Sequence, residues 1–563
     1  MFVLFRVLLS IVMILSFSAC SSDSSCPSGT EKWNGDECRP PSAVHLNTVG
    51  FLPDRAKVAV VLQPASTFTL MRADGTGADG TEGSVVLSGY ATGPVHDDST
   101  GMDLWTIDFS SFTEPGEYYL DVPGVGRSVS FRIGVDVYAD VTKALMLGMY
   151  GQRCGVAVEL EHDGKTFSHG ACHTKDAVPW EDQASRTVKD VAGGWHDAGD
   201  YGKYTNNAAF SLGMMFRAWE LYQEKLASLA LPIPEHGGPI PDFLAEAKVQ
   251  LDQLLKMQRD DGSVYQQVSE VDFEGFISPT SDKATRYIFG AGTVQAADLV
   301  AVASAGARLF LPYDTEYTMR LLAAVERSWA YLQANGFVAA DLSGTNHPGY
   351  WRRDDGPERL WAAAELWETT GDPGALAAVE AKIGSTTVSP SWDWPNVGNL
   401  GIFTYVLSKR DGRDPAILSS VSQHVVNSAE KILSWSSASG FGRGILTYYW
   451  GSNGSVARTT LNLMVANLLA PDTRYIDGTV AQLDHLLGRN VYGRSFVTGL
   501  GQFPPVHPHH RPSAGSGAWP GLLVGGPNGS ATSWKDEQGD YEQNEIAINW
   551  NAAMIFGAAS LMP

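Results

Sequence analysis

Gly193-Gly-Trp-His-Asp-Ala-Gly-Asp-Tyr-Gly-Lys-Tyr204 leads straight into an apolar-periodic run from about Asn206 to Glu224. Two carboxylates, Asp197 and Asp200, stand three residues apart, with His196 immediately before the first. Gly199 and Gly202 allow backbone angles that other residues resist. The loop can therefore turn sharply and aim both acids into one cleft, with the following helix as anchor. Alone, an Asp-x-x-Asp among glycines reads first as a solvated turn, and the rest of the chain decides between the two readings.

Downstream of Tyr138 the apolar spacing is helical. Candidate helices lie near 139–153, 206–224, 242–258, 293–310, 316–334, 358–370, 374–384, 398–409, 414–435, 457–469, 476–487 and 545–561. Between them run long loops at 261–292, 341–357, 386–397, 439–456 and 489–544, rich in aromatic and polar residues. Loops that long within a compact domain are usually functional. A closed helical barrel with a cleft at one end fits this alternation; an irregular all-α domain fits the periodicity equally.

Upstream, residues 43–135 change character. Short β-forming runs such as Lys57-Val-Ala-Val-Val-Leu62, Leu104-Trp-Thr-Ile-Asp108 and Glu117-Tyr-Tyr-Leu-Asp-Val122 alternate with turn signals at Asp74-Gly, Pro115-Gly and Pro123-Gly. That spacing predicts a β-sandwich. Residues 1–19 read as a signal peptide, with Arg6 ahead of an apolar run from Val7 to Phe17 that is short for a membrane span. It ends Phe17-Ser-Ala-Cys20, similar to a lipoprotein cleavage box, although Leu is usual where Phe17 stands. The expectation is an exported bacterial lipoprotein at the outer membrane, anchored by lipid on Cys20, with ordinary secretion as the alternative. Residues 20–42 form a tether in which Cys26 and Cys38 bracket a turn-rich loop suited to a small disulfide.

The 563-residue chain carries a net charge of −22 and no basic runs, which argues against nucleic acid as a partner. Sixteen Trp and twenty Tyr exceed what a cleft needs, so most fill the core, but exposed rings among them suit sugar faces.

A second acid cluster closes the chain: Trp534-Lys-Asp536, then Asp540, Tyr541, Glu542 and Glu545. Glu545 is placed to open the final apolar helix, where an acid also compensates the helix dipole. Asp536, Asp540 and Glu542 read as loop solvation or as calcium ligands. Two carboxylate sites delivered by loops into one cleft suit glycosidic bond cleavage, in which one acid protonates the leaving oxygen and the other activates a nucleophile. The proton donor needs an apolar or acid-rich setting to stay protonated, which Trp534, Tyr541 and Trp550 are positioned in sequence to supply. Between the clusters lies Pro505-Val-His507-Pro-His509-His510-Arg511, a rigid loop whose His and Arg suit sugar hydroxyls better than a metal.

Taken together, Gly-Gly-Trp-His-Asp-Ala-Gly-Asp, the Pro-His-His-Arg loop and the Trp-x-Asp…Tyr-x-x-x-Glu-x-Ala run resemble glycoside hydrolase family 9, in its subgroup with an N-terminal immunoglobulin-like domain. Asn47-Thr-Val-Gly-Phe-Leu-Pro-Asp54, Trp361-Ala-Ala-Ala-Glu-Leu-Trp367, Trp392-Asp-Trp-Pro-Asn-Val397 and Trp450-Gly-Ser-Asn453 are similar to further family segments. The resemblance spans residues 43–563. It implies an (α/α)6 barrel at 136–563 behind an immunoglobulin-like sandwich at 43–135, and inversion at the anomeric carbon. By motif, Asp200 matches the general base, Asp197 its partner on the water, Glu545 the general acid, and His509 with Arg511 the sugar-binding pair. Trp361 and Trp450 match substrate contacts. Phe503 departs from the polar residue that cellulases often carry nearby, replacing a polar sugar contact with an apolar one.

Cys154, Cys172, His173 and His196 supply two thiolates and two imidazoles, a complete tetrahedral zinc set of the closed, structural kind. The family subgroup resembles this arrangement; a Cys154–Cys172 disulfide is the alternative in an exported chain. Structural calcium is also implied by the family. The leading expectation is an inverting hydrolase of β-1,4-glucan, with an exo-acting β-glucosidase or glucosaminidase as rival and a non-catalytic glycan-binding protein as the remote one.

Overall fold

The computed structural model describes residues 31–33, 37–39, 42–73, 83–384 and 386–563. The leader, the Cys20 lipid site, Cys26 with its pairing to Cys38, and the Asp74-Gly turn lie outside those residues. Glu31–Trp33 and Glu37–Arg39 form a small antiparallel ladder. Ala43–Pro563 is one compact unit.

Within that unit the first 90 residues are β. One sheet orders Gly50–Phe51, Phe131–Ile133, Gly116–Val122, Thr67–Arg72 and Val85–Tyr90; the other orders Val44–His45, Val58–Val61, Met102–Asp108 and Thr92–Asp97. Phe51 and Phe131 of the first sheet meet Phe109, just past the Met102–Asp108 strand of the second, with ring centroids 5.2–5.5 Å apart, so the two sheets share an aromatic core.

Thirteen helices follow among the described residues: α1 (Val137–Gly151), α2 (Thr205–Ala227), α3 (Asp242–Lys256), α4 (Thr293–Phe310), α5 (Thr315–Ala334), α6 (Gly356–Thr370), α7 (Pro373–Ile383), α8 (Gly398–Leu407), α9 (Pro415–Ala438), α10 (Ser452–Leu469), α11 (Thr473–Leu487), the single turn α12 (Tyr541–Asn544) and α13 (Ile548–Ser560). Helices α2, α4, α6, α8, α10 and α13 pack each on the next, and α13 closes on α2. Outside this ring, α3 lies on α2, α5 on α4, α7 on α6, α9 on α8 and α10, α11 on α10, and α1 on α13. This is an (α/α)6 barrel behind an immunoglobulin-like sandwich, and it removes the irregular all-α alternative.

The two rings differ in how their helices begin. Four outer helices start on an Asp whose side chain accepts from the first turn: Asp314, Asp372, Asp414 and Asp472. No inner helix has a side-chain cap. Their first N–H groups turn instead to neighbouring loop backbone, as Thr293 does to Val338, Asn453 to Gly525 and Ile548 to Asp197. All six inner N-termini follow the long loops, so their positive dipole ends gather at one end of the barrel.

Two expectations need correcting. The loop at 261–292 contains an antiparallel pair, Val264–Ser269 with Tyr287–Gly292, whose buried Gln266 and Gln267 hide the usual alternation. The final helix begins at Ile548, and Glu545 is extended backbone ahead of it rather than its opening residue.

Candidate active site

Each segment that lines the main cleft sits just before an inner helix. Asp197, Asp200 and Tyr204 precede α2; His347 and Tyr350 precede α6; Asp393 and Trp394 precede α8; Trp450 precedes α10. Glu545 and Ala547 precede α13, which adds Asn549 and Trp550 from its first turn, and Phe273 comes from the loop before α4. They enclose a cavity of about 470 Å³. A cavity of about 480 Å³ beside α5 and α7 is lined by Arg359 and Lys382 and no carboxylate, so it offers no comparable acid–base chemistry.

Backbone hydrogen bonds bring the distant acids together. Ile548 N–H donates to Asp197 O at 3.0 Å, and Ala198 bridges Ala547. Arg511 N–H donates to Gly199 O at 2.9 Å, while His509 N–H donates to Asn544 O at 2.8 Å. Segments 197–199, 509–511 and 544–548 thus form one zipped floor. Asp536 holds it from outside, accepting from Val506 N–H, His507 N–H and Asn544 Nδ2 at 2.8–3.0 Å. This carboxylate is therefore a loop tie. Gly199 is required for space: a Cβ there would lie 2.1 Å from His509 O. The left-handed angles expected at Gly199 and Gly202 fall on Gly193 and Gly194 instead.

Both oxygens of Asp197 are held. Tyr350 Oη donates to Oδ2 at 2.6 Å and Asn207 Nδ2 to Oδ1 at 2.8 Å. Burial nevertheless pushes Asp197 up to about 7. Buried Tyr204 and half-buried Tyr350 are held well above the ordinary tyrosine range, so both keep their protons. Among the described residues Asp200 is tied through Oδ1 alone, to Gly202 N–H at 2.9 Å. Glu545 is driven well above the ordinary carboxylate range by burial, then by Asp200 and Asp197, against the pull of Gly199 N–H and Arg511. The floor therefore gathers a carboxyl that burial holds towards its protonated form and two further acids, and among the described residues Asp200 Oδ2 makes no hydrogen bond.

The other expected contacts divide. Trp450 lines the cavity and packs edge-on against Tyr541. Trp550 lies beside Glu545, whereas Trp534 is buried and donates to Asn544. His509 and Arg511 stand beside the cavity, outside its lining. His509 Nδ1 faces the Gln538 carbonyl at 2.8 Å, which fixes Nδ1 as the donor, and burial keeps the ring below its ordinary pKa. Phe503 is outside the lining as well. Trp361 is a correction. It is 1 % exposed inside α6, wedged against Gly213 and Gly401, with Nε1 donating to Glu365. It packs the barrel interior and reaches no substrate. Tyr350, Asn207, Asp393 and Asn549 were not singled out in the sequence; only the aromatic richness of 341–357 and 386–397 pointed towards two of those loops.

Cys154, Cys172, His173 and His196 converge with all four ligand atoms within 4.8 Å of one another. Cys154 Sγ lies 3.7 Å from His173 Nδ1, Cys172 Sγ 3.8 Å from His196 Nε2, and the two nitrogens are 3.3 Å apart. A tetrahedron with zinc-type bond lengths has edges of about 3.3–3.8 Å, so the donor set fits such an ion. Both cysteines are free, which sets aside the disulfide. His173 Nε2 meets Asp282 Oδ2 at 3.0 Å, an outer partner that orients the imidazole. Among the described residues no helix is long and apolar enough to cross a membrane.

A barrel floor that gathers three carboxyl groups in one aromatic cleft, one of them held well above its ordinary range, defines an acid–base glycoside hydrolase. Known proteins agree. The model of glycosyl hydrolase family 9 matches residues 138–558, and that of the cellulase N-terminal ig-like domain matches 39–127. The chain belongs to glycoside hydrolase family 9. It is 43% identical over 530 residues to Endoglucanase D of Acetivibrio thermocellus, covering 92% of this chain and 83% of that one. Its fold matches a metagenome-derived family 9 endoglucanase with TM-score 0.86 and 35% identity, over 92% and 98% of the two chains. It also matches a zinc-binding triple mutant of the family 9 endoglucanase J30, with TM-score 0.84 and 33% identity over 91% and 99%.

Proposed function

We propose that this enzyme cleaves β-1,4-linked glucan with inversion. Glu545 donates its proton to the leaving glycosidic oxygen as the general acid. Asp200 removes a proton from the attacking water through its free oxygen, and Asp197, pinned by Tyr350 and Asn207, accepts that water's second hydrogen. His509 and Arg511 steady the sugar beside the cleaved bond, and Trp450 stacks on a ring further along. The zipped floor supports this reading, because its backbone hydrogen bonds gather the segments that carry Asp197, Asp200 and Glu545 around one cavity. The endoglucanase relatives support internal cleavage of a glucan. Asp200→Asn and Glu545→Gln should each abolish turnover of cello-oligosaccharides while the variants stay folded. Turnover near the wild-type rate in either variant removes the role assigned to that residue. Product sizing over time on a soluble cellulose derivative separates internal from terminal cleavage.

The metal in this reading is one structural zinc on Cys154, Cys172, His173 and His196. Zinc binding in the J30 triple mutant supports the choice of ion. The ion would pin the start of the catalytic loop through His196 and take no part in bond cleavage. Metal analysis should find one zinc per chain, and protein prepared with zinc present yet holding none ends the idea. The same measurement counts calcium, which family membership brings into this reading. Export with lipid on Cys20 is part of the proposal too; radiolabelled palmitate should enter the wild type and not Cys20→Ala.

A further inference from the structure

The segment between Glu270 and Arg286 is stapled at several points. Arg286 pairs with Glu270 at 2.6 Å, and Tyr201 Oη donates to Ile277 O at 2.5 Å. Asp282 meets His173, and Asn346 N–H donates to Val271 O at 2.9 Å. In the middle of this fixed strap lies Glu274, whose side chain is 7 % exposed. Its Oε1 stands 2.8 Å from Arg511 Nε, and its backbone carbonyl accepts from both Nε and Nη2 of Arg511 at 3.0 Å. Phe273 and Phe276 flank the same guanidinium, each ring centroid 5.5 Å from Cζ. Arg511 Nη1 makes no hydrogen bond among the described residues.

We propose that Glu274 is a positioning residue that grips one edge of Arg511 and turns the Nη1 edge towards the sugar. The proposal rests on the reading of Arg511 as a substrate contact. Arg511 has several rotatable bonds and its backbone is tied to Gly199, so its head group needs an outside partner to keep one direction. Glu274 supplies that partner twice, as an ion pair through the carboxylate and as the hydrogen-bond acceptor through the carbonyl, and neither carboxylate oxygen has a hydrogen-bond partner elsewhere among the described residues. The aromatic rings restrict the plane of the fork, while Glu274 fixes which edge faces out. Among the described residues Glu274 is the only carboxylate paired with Arg511. Nothing in this arrangement requires Glu274 to touch substrate, so its effect passes through Arg511.

A double-mutant cycle on a soluble cello-oligosaccharide of defined length tests this. Glu274→Gln keeps the volume and the carbonyl and should lower kcat/KM about tenfold, chiefly through KM, with melting temperature and bound zinc unchanged. Arg511→Lys removes the planar fork and should lose at least as much. The double variant should be no worse than the weaker single within about twofold, because both changes break one interaction. Losses that multiply in the double variant, or wild-type kcat/KM in Glu274→Gln beside an impaired Arg511→Lys, overturn the role of Glu274 alone. Wild-type kcat/KM in Arg511→Lys overturns the reading of Arg511 and this inference with it. If Glu274→Gln does not fold, Glu274→Asp withdraws the carboxylate while keeping charge and carbonyl. It should show the same KM effect in smaller measure, and wild-type kinetics there overturn the proposal equally.

Discussion

Gly199→Ala is the sharpest test of the zipped floor. The backbone of Gly199 lies outside the left-handed region, so alanine strains no dihedral there. What alanine lacks is room. Its Cβ would stand 2.1 Å from His509 O and 2.9 Å from His509 Cδ2, whereas ordinary contact begins at 3.4 Å. The obstacle is a backbone carbonyl in a segment tied on either side of it, by His509 N–H to Asn544 O and by Arg511 N–H to Gly199 O, and it cannot swing aside as a side-chain tip can. Segments 197–199 and 509–511 must separate by about 1.3 Å to relieve the contact. Overpacking of this kind costs about 1–3 kcal/mol. A misplacement of roughly 1 Å between reacting groups costs about 100-fold in rate. We therefore expect kcat on a soluble cello-oligosaccharide to fall about 100-fold while melting drops by a few degrees and the metal stays bound. Gly336→Ala, with open space around its Cβ, is the control and should match the wild type. A kcat within twofold of wild type in folded Gly199→Ala would falsify the claim that this close approach sets the geometry of the acids.

Four further outcomes follow from the same structure. Glu545 is raised above its unfolded value, so its contribution to stability is complete below the ordinary carboxylate range and lost as pH rises through the folded value; thermal melts of Glu545→Gln should be flatter across that window, and a parallel pH profile refutes the shift. Tyr350→Phe removes one of two donors to Asp197 and should lower kcat by about 10- to 100-fold with little change in KM; a pure KM effect contradicts the link. Chelation should lower the melting temperature before it lowers activity, with zinc restoring both, and simultaneous loss of activity at unchanged melting would instead assign the ion a chemical role. Trp361→Phe should lower stability by about 1–3 kcal/mol and leave KM alone, since Trp361 only fills the barrel interior; a raised KM would restore it to the substrate.

The elements were legible wherever burial is one-sided. Helix α5 spans Thr315–Ala334, close to the 316–334 that its periodicity predicts, and the Asp-Pro pairs at 372–373 and 414–415 mark the starts of α7 and α9 through capping and proline geometry. Two thiols and two imidazoles were legible as a closed donor set, but the family resemblance singled out these four, and only the fold chose them over a Cys154–Cys172 disulfide. Less readable were residues whose chemistry depends on a partner. Tyr350 looks like any loop aromatic until its hydroxyl meets Asp197, and Glu274 like a surface acid until Arg511 turns onto it. Trp361 misled because a motif match records identity at a position and says nothing of which face of α6 that position occupies.

By itself the sequence determined the order of a short-strand region and a helical region, the kinds of acid, histidine and cysteine available, and the family they resemble. Those follow from local propensity and residue chemistry, which act over a few positions. Only the tertiary structure decided that six inner helices begin at the same end, that Gly199 lets His509 come close, and that Glu545 lies beside a loop almost 350 residues earlier in the chain. Ring closure and backbone pairing between remote segments set these, and no local stretch carries the information. The opposed acids are a property of that closure, because neither segment holds its direction without the other.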